Sequence, residues 1–124
     1  FQCKFFLAGG SKDENLIKLI MNSSIGKNCV SLSTMTIEKT IPIISACRYY
    51  IGNDTGWGHI SSGLGLKSLF LFMDSPPAAY GVYSKNISII VPDGETLETC
   101  SHDTKGNKRI PIDKVLNKAI KLIN

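Results

Sequence analysis

The chain has 124 residues, 43% of them hydrophobic and 19% charged, with a formal net charge of +4. That is enough for one domain with a buried core, and it excludes a low-complexity or disordered polymer. Lys and Arg are scattered rather than gathered into a basic face, which argues against a nucleic-acid module and leaves an anionic small ligand or an acidic membrane surface as weak alternatives to a merely solvated surface.

Cys3–Ala8 reads as a strand, Gly9-Gly10-Ser11 as a turn, and Asp13–Asn22 as a helix with Leu16, Ile17, Leu19 and Ile20 at helical spacing. A loop over Ser24–Asn28 leads to a short strand over Cys29–Leu32. Ser33-Thr34-Met35-Thr36 is polar, and the helix after it runs to about Cys47. It contains Pro42, so it either begins near Thr40 or is kinked. Tyr49–Ile51 is a third strand, and Asn53-Asp54-Thr55-Gly56 carries turn and capping chemistry. A short helix over Trp57–Leu64 is closed by Gly65, because glycine accepts the left-handed conformation at a helix end. Leu69–Phe72 is an apolar run of buried-strand length. A loop with Pro76, Pro77 and Gly81 fills Met73–Asn86, and Ile87–Val91 is the fifth strand. Pro92–Asn107 reads as irregular and Arg109–Ile112 as extended. Asp113 then caps a closing helix to Ile123, with Val115, Leu116, Ala119, Ile120 and Ile123 on one face.

This alternation implies an α/β fold: a Rossmann-like, three-layer parallel sheet with helices on both faces and right-handed crossovers. Ligands of such sheets bind beyond the carboxyl ends of the strands. That edge collects Gly9-Gly10-Ser11, Ser33–Thr36, Asn53–Gly56 and Met73-Asp74-Ser75, a set of small residues, hydroxyls and free amides suited to phosphates and sugar hydroxyls. Asp54-Thr55-Gly56 could simply cap the next helix. His59 one turn later makes the cluster less ordinary, since it falls near the face on which unpaired amides point at an anion. Trp57, Tyr80 and Tyr83 either shield the ligand edge or pack. There is no GxGxxG, no Walker lysine, no Ser-His-Asp order and no metal-ligand spacing, so no metal or cofactor is expected. Cys3, Cys29, Cys47 and Cys100 show no paired spacing and read as reduced thiols. No apolar run reaches the length of a membrane helix and no signal peptide is recognisable. The chain opens on Phe1, which fits a piece of a longer protein.

The stretch Asp54-Thr55-Gly56-Trp57-Gly58-His59-Ile60-Ser61-Ser62-Gly63-Leu64-Gly65 resembles glycosyltransferase family 9, the lipopolysaccharide heptosyltransferases. That family carries Asp-Thr-Gly, two variable residues and His, then an apolar strand and a Pro-containing loop with Tyr-Gly. These correspond to Leu69–Phe72, Pro76-Pro77 and Tyr80-Gly81 here. Met35-Thr36-Ile37-Glu38 is similar to the family's Met-Ser-Leu-Glu, and Gly9-Gly10-Ser11 to its Gly-rich turn. Met73 stands where the family has Gly, and Gly63 where Ala is usual.

The resemblance implies the C-terminal half of a GT-B glycosyltransferase: one donor-binding domain over residues 1–124, with the N-terminal acceptor domain absent from the chain. It implies that Asp54, Thr55, Gly56 and His59 meet the diphosphate and sugar of a nucleotide-sugar donor, ADP-heptose by type. Met35 would lie near the base, and Gly10 and Ser11 near the ribose. The acceptor would be a glycan or lipid-linked sugar held by the missing domain, which would also supply the catalytic base. The chain alone is then expected to bind donor and catalyse little. A cytoplasmic location, with peripheral association at the inner face of the inner membrane, follows from the same resemblance. The alternatives from the residues themselves are a non-catalytic nucleotide-binding α/β domain and a nucleotide-sugar epimerase of similar fold.

Overall fold

The computed structural model describes residues 3–104 and 109–124, in two compact units that divide between Ala46 and Cys47. In the first unit β1 (Phe5–Leu7) leads through Gly9-Gly10 and a 3-10 turn over Ser11–Asp13 into α1 (Glu14–Met21). A further 3-10 turn, Gly26–Asn28, precedes β2 (Cys29–Ser31), which lies parallel to β1 with Phe6 opposite Val30. The unit ends in α2 (Ile37–Ser45). This helix starts at Ile37 and runs through Pro42 rather than beginning near Thr40. The ring costs it the N–H that would reach the Glu38 carbonyl. Two residues before Pro42, Thr40 donates both its backbone N–H and its hydroxyl to the Thr36 carbonyl, at 3.1 and 2.9 Å.

The second unit holds β3 (Tyr49–Asn53), α3 (Gly56–Gly63), β4 (Lys67–Leu71), α4 (Pro77–Tyr80), β5 (Ile87–Ile90) and α5 (Ile112–Ile123). Its sheet is parallel in the order β3-β4-β5, with Asn53 opposite Leu71 and Leu71 opposite Ile90. The parallel α/β fold read from the sequence is therefore found, its pairing distributed over two sheets. Helices cover both faces of β4. Gly58 of α3 packs on Phe70 and Tyr50, while the hydroxyl of Tyr49, which alternation turns to the opposite face, donates to the Ile123 carbonyl of α5 at 3.1 Å. Leu69, Phe70 and Phe72 are wholly buried, and Phe70 and Phe72 form the core with Cys100.

Strand ends shift by up to two residues from the expectation, and the helices differ from it too. A single helical turn, α4, stands in the Pro-containing loop because Pro77 occupies its first position, where no N–H is needed. Pro111 rather than Asp113 precedes the closing helix, so Ile112 is helical and Asp113 sits in the first turn. Leu116 and Ile120 are exposed, whereas Val115, Ala119 and Ile123 are half-buried, so the apolar face is wider than the packed one. Residues 105–107 of the stretch read as irregular lie outside the described residues. All four cysteines are free, and among the described residues no helix is long and apolar enough to cross a membrane.

Candidate functional site

The site is built where β3 ends. Tyr50 and Gly52 alternate with Tyr49 and Ile51 along the strand, and the backbone N–H of Asp54 donates to Leu71 at 3.3 Å, carrying the sheet register one residue past the strand. Thr55 is extended, with φ −143° and ψ 167°, and α3 starts at the next residue. The Thr55 hydroxyl does not cap this helix; it lies 3.4 Å from the Tyr50 hydroxyl, which also donates to the Asn53 carbonyl at 3.1 Å. Burial raises the Tyr50 pKa above the ordinary tyrosine value. The Thr55 contact opposes that shift, and the negative charge of nearby Asp54 adds to it.

Without a side-chain cap the first amides of α3 stay open. The carbonyl of Thr55 accepts from the N–H groups of Gly58 and His59, at 3.0 and 3.3 Å. Among the described residues no hydrogen bond takes up the N–H of Thr55, Gly56 or Trp57. Unpaired N–H groups at a helix start carry partial positive charge and suit an anion. A Cβ added at Gly56 would meet nothing within 4 Å, so the approach to these amides is clear. At its other end α3 closes on Gly65, whose φ of +89° only glycine adopts freely. The N–H groups of Gly65 and Leu66 return to the carbonyls of Ser62 and Ser61, both at 3.0 Å.

His59 projects from the first turn of α3 onto Asp54. Its Nε2 lies 3.0 Å from Asp54 Oδ1. Oδ1 is buried and makes no aligned hydrogen bond, so this contact is close but poorly directed. The other carboxylate oxygen, Oδ2, accepts from Ser75 Oγ at 2.6 Å. Nδ1 of His59 lies 2.7 Å from the Tyr83 hydroxyl, and the ring stands edge-on to Phe70 with centroids 5.4 Å apart. The turn after β3 and the turn after β4 together shape a hollow of about 270 Å³ lined by Asn53, Asp54, Thr55, Leu71, Met73 and Asp74.

The structure thus assembles Asp54, Thr55, Gly56 and His59 on one turn and the helix it starts. Gly10, Ser11 and Met35 belong to the first unit. There the Gly10 N–H donates to Asp13 Oδ2 at 2.8 Å, Ser11 is exposed, and half-buried Met35 donates its N–H to the Leu32 carbonyl at 3.0 Å. Sequence reasoning placed Ser75 in the edge turn Met73-Asp74-Ser75 and named Tyr83 as an aromatic that either shields that edge or packs, but it gave neither of them, nor Tyr50, a contact within the site. Ser75 has a readable signal: parallel neighbours β3 and β4 must end side by side, so the turn after one adjoins the turn after the other. Tyr83 has none, because the path of the loop after α4 places it.

Three comparisons bear on this geometry. The model of glycosyltransferase family 9 (heptosyltransferase) matches residues 1–110. No curated protein matches the chain. Two solved structures share the fold. E. coli heptosyltransferase WaaC with ADP aligns at a TM-score of 0.63 and 18% identity over 84% of this chain and 32% of its own. E. coli ADP-heptose LPS heptosyltransferase II aligns at 0.64 and 20% identity over 94% of this chain and 37% of its own. The chain therefore spans about a third of the length of the solved structures it matches.

Proposed function

The chain belongs to glycosyltransferase family 9, and from that premise we propose that it is the donor-holding part of a heptosyltransferase-like enzyme, binding a nucleoside diphosphate sugar of the ADP-heptose type. The observation that carries this reading is the open start of α3: three unpaired amides beside a hollow rimmed by carboxylates and a hydroxyl. The amides suit the diphosphate, while Asp74 and Thr55 can accept from sugar hydroxyls. Asp54 has both oxygens turned inward, toward Ser75 and His59, so its part is to hold the histidine rather than to meet the diphosphate directly. One of the solved relatives is described with ADP, in keeping with a donor of this class.

Transfer of the sugar leaves negative charge on the departing diphosphate. Preformed amides of α3 would stabilise that charge without reorganising, which is where an enzyme gains most from fixed dipoles. The acceptor hydroxyl needs a base, and the proposed source of that base and of the acceptor site is the remainder of the enzyme, in which this chain would be the donor half. The proposed acceptor is a lipopolysaccharide-core or related glycan, reached from the cytoplasmic side of a membrane.

Calorimetric titration tests the reading. The native chain, and the full-length protein that carries it, should bind ADP and ADP-heptose in preference to free phosphate. Asp54→Ala and His59→Ala should each lose most of that affinity. A folded full-length protein that binds neither nucleotide would sink the proposal.

A further inference from the structure

We infer that Tyr83 is a positioning residue of this site: its hydroxyl, acting through Nδ1 of His59, fixes the imidazole with Nε2–H turned to Asp54. The inference rests on the donor-site reading above and extends it to a residue outside the Asp-Thr-Gly-x-x-His stretch, 24 positions from the histidine.

Both ring nitrogens of His59 face partners within the chain, and the two contacts differ in kind. The one to Asp54 is short but misaligned, leaving Oδ1 without a directed hydrogen bond. The one to Tyr83 is 2.7 Å and joins two groups that can each donate or accept. Asp54 cannot compensate by turning, because Ser75 holds its second oxygen at 2.6 Å. Phe70 supports the ring edge-on but supplies no directional bond. Among the described residues around the imidazole, Tyr83 therefore makes the directed contact and Asp54 the close but misaligned one. A neutral imidazole has one donor and one acceptor nitrogen. Donation of the tyrosyl O–H to Nδ1 leaves the proton on Nε2, the nitrogen that faces the Asp54 carboxylate. Tyr83 is 56% exposed, so it is not a core residue placed here by packing. The imidazole stands in the first turn of α3, whose open amides would hold the diphosphate, so its orientation bears on that site.

The test uses Tyr83→Phe, which keeps the ring and removes the hydroxyl, with Tyr80→Phe, at the exposed end of α4, as a control. Nitrogen-15 NMR of the His59 imidazole, at mildly alkaline pH where imidazoles are ordinarily neutral, reads the tautomer directly. Calorimetry on the same full-length samples reads ADP affinity. In the native protein Nε2 should be protonated and Nδ1 bare. In Tyr83→Phe the ring should populate both tautomers and ADP affinity should fall roughly threefold to tenfold, the range one hydrogen bond spans. Tyr80→Phe should move neither. An unchanged tautomer in Tyr83→Phe overturns the inference, and so does a shifted tautomer with unchanged ADP affinity. If the native protein fails to bind ADP, the donor-site reading falls by itself, and the tautomer still decides whether Tyr83 sets the ring.

Discussion

The two units begin with the same grammar, a short strand, a glycine-containing turn and a helix, and do different things with it. In the second, β4 is covered on both faces, Phe70 and Phe72 are wholly buried, and the turn after β3 draws Ser75 and Tyr83 onto Asp54 and His59. In the first, β1 keeps Phe5 and Phe6 exposed at 45% and 38%, and α1 leaves Leu16 and Leu19 uncovered. Its glycine turn is closed locally, by Asp13 folding back onto Gly10. This local cap ties the Gly10 amide of the turn to the segment that follows it. The uncapped turn at Thr55 leaves amides free and relies on the neighbouring strand for its order. Where a turn's hydrogen bonds go decides whether it is only a corner or also a place to hold a ligand.

The largest test of this contrast removes a strand phenylalanine from each unit. Phe70→Ala should cost about 3–5 kcal/mol in denaturant unfolding, because the ring is fully buried among Tyr50, His59 and Phe72. Phe6→Ala, at a half-open position, should cost about 1 kcal/mol or less on the same measurement. Equal losses would mean that the first unit is packed as tightly as the second.

Glycines on one helix sharpen the comparison. A Cβ at Gly58 would sit 2.8 Å from Phe70 and 3.0 Å from Tyr50, so Gly58→Ala should lose about 1–3 kcal/mol through overpacking. Gly56→Ala meets nothing and should unfold like the native chain, as should Gly10→Ala in the first unit, whose nearest neighbour is 4.0 Å away. Thermal melts of the three variants separate packing glycines from those that keep a surface clear.

The smallest effect is one of pH. The folded state holds Tyr50 protonated, since burial raises its pKa. A raised acid contributes stability that is complete below the unfolded value, near 10.0, and is lost as pH climbs through the higher folded one. Urea midpoints should therefore fall above about pH 10, where free tyrosine ionises, and Tyr50→Phe should flatten that fall. An equal fall in Tyr50→Phe would assign it to other tyrosines.

The order of strands and helices, the Gly65 stop, the anion-suited turn at Asp54–Gly56 and the family resemblance were all legible in the chain. They rest on local chemistry: alternation and periodicity, a glycine where φ is positive, and small residues with turn chemistry where a helix starts. Where α2 begins was left open because a proline's cost is local, whereas the burial of Thr40 and Ile44 that holds the helix through Pro42 is not. Only the tertiary structure could decide that Gly58 exists to let Phe70 approach, or that Asp54 faces inward to Ser75 and His59. The same holds for Tyr83, which reaches the histidine from a loop. These contacts join residues that sequence spacing leaves unrelated. What brings them together is the parallel register, which ends adjacent strands side by side, and the burial of Phe70 beneath the helix that carries the site.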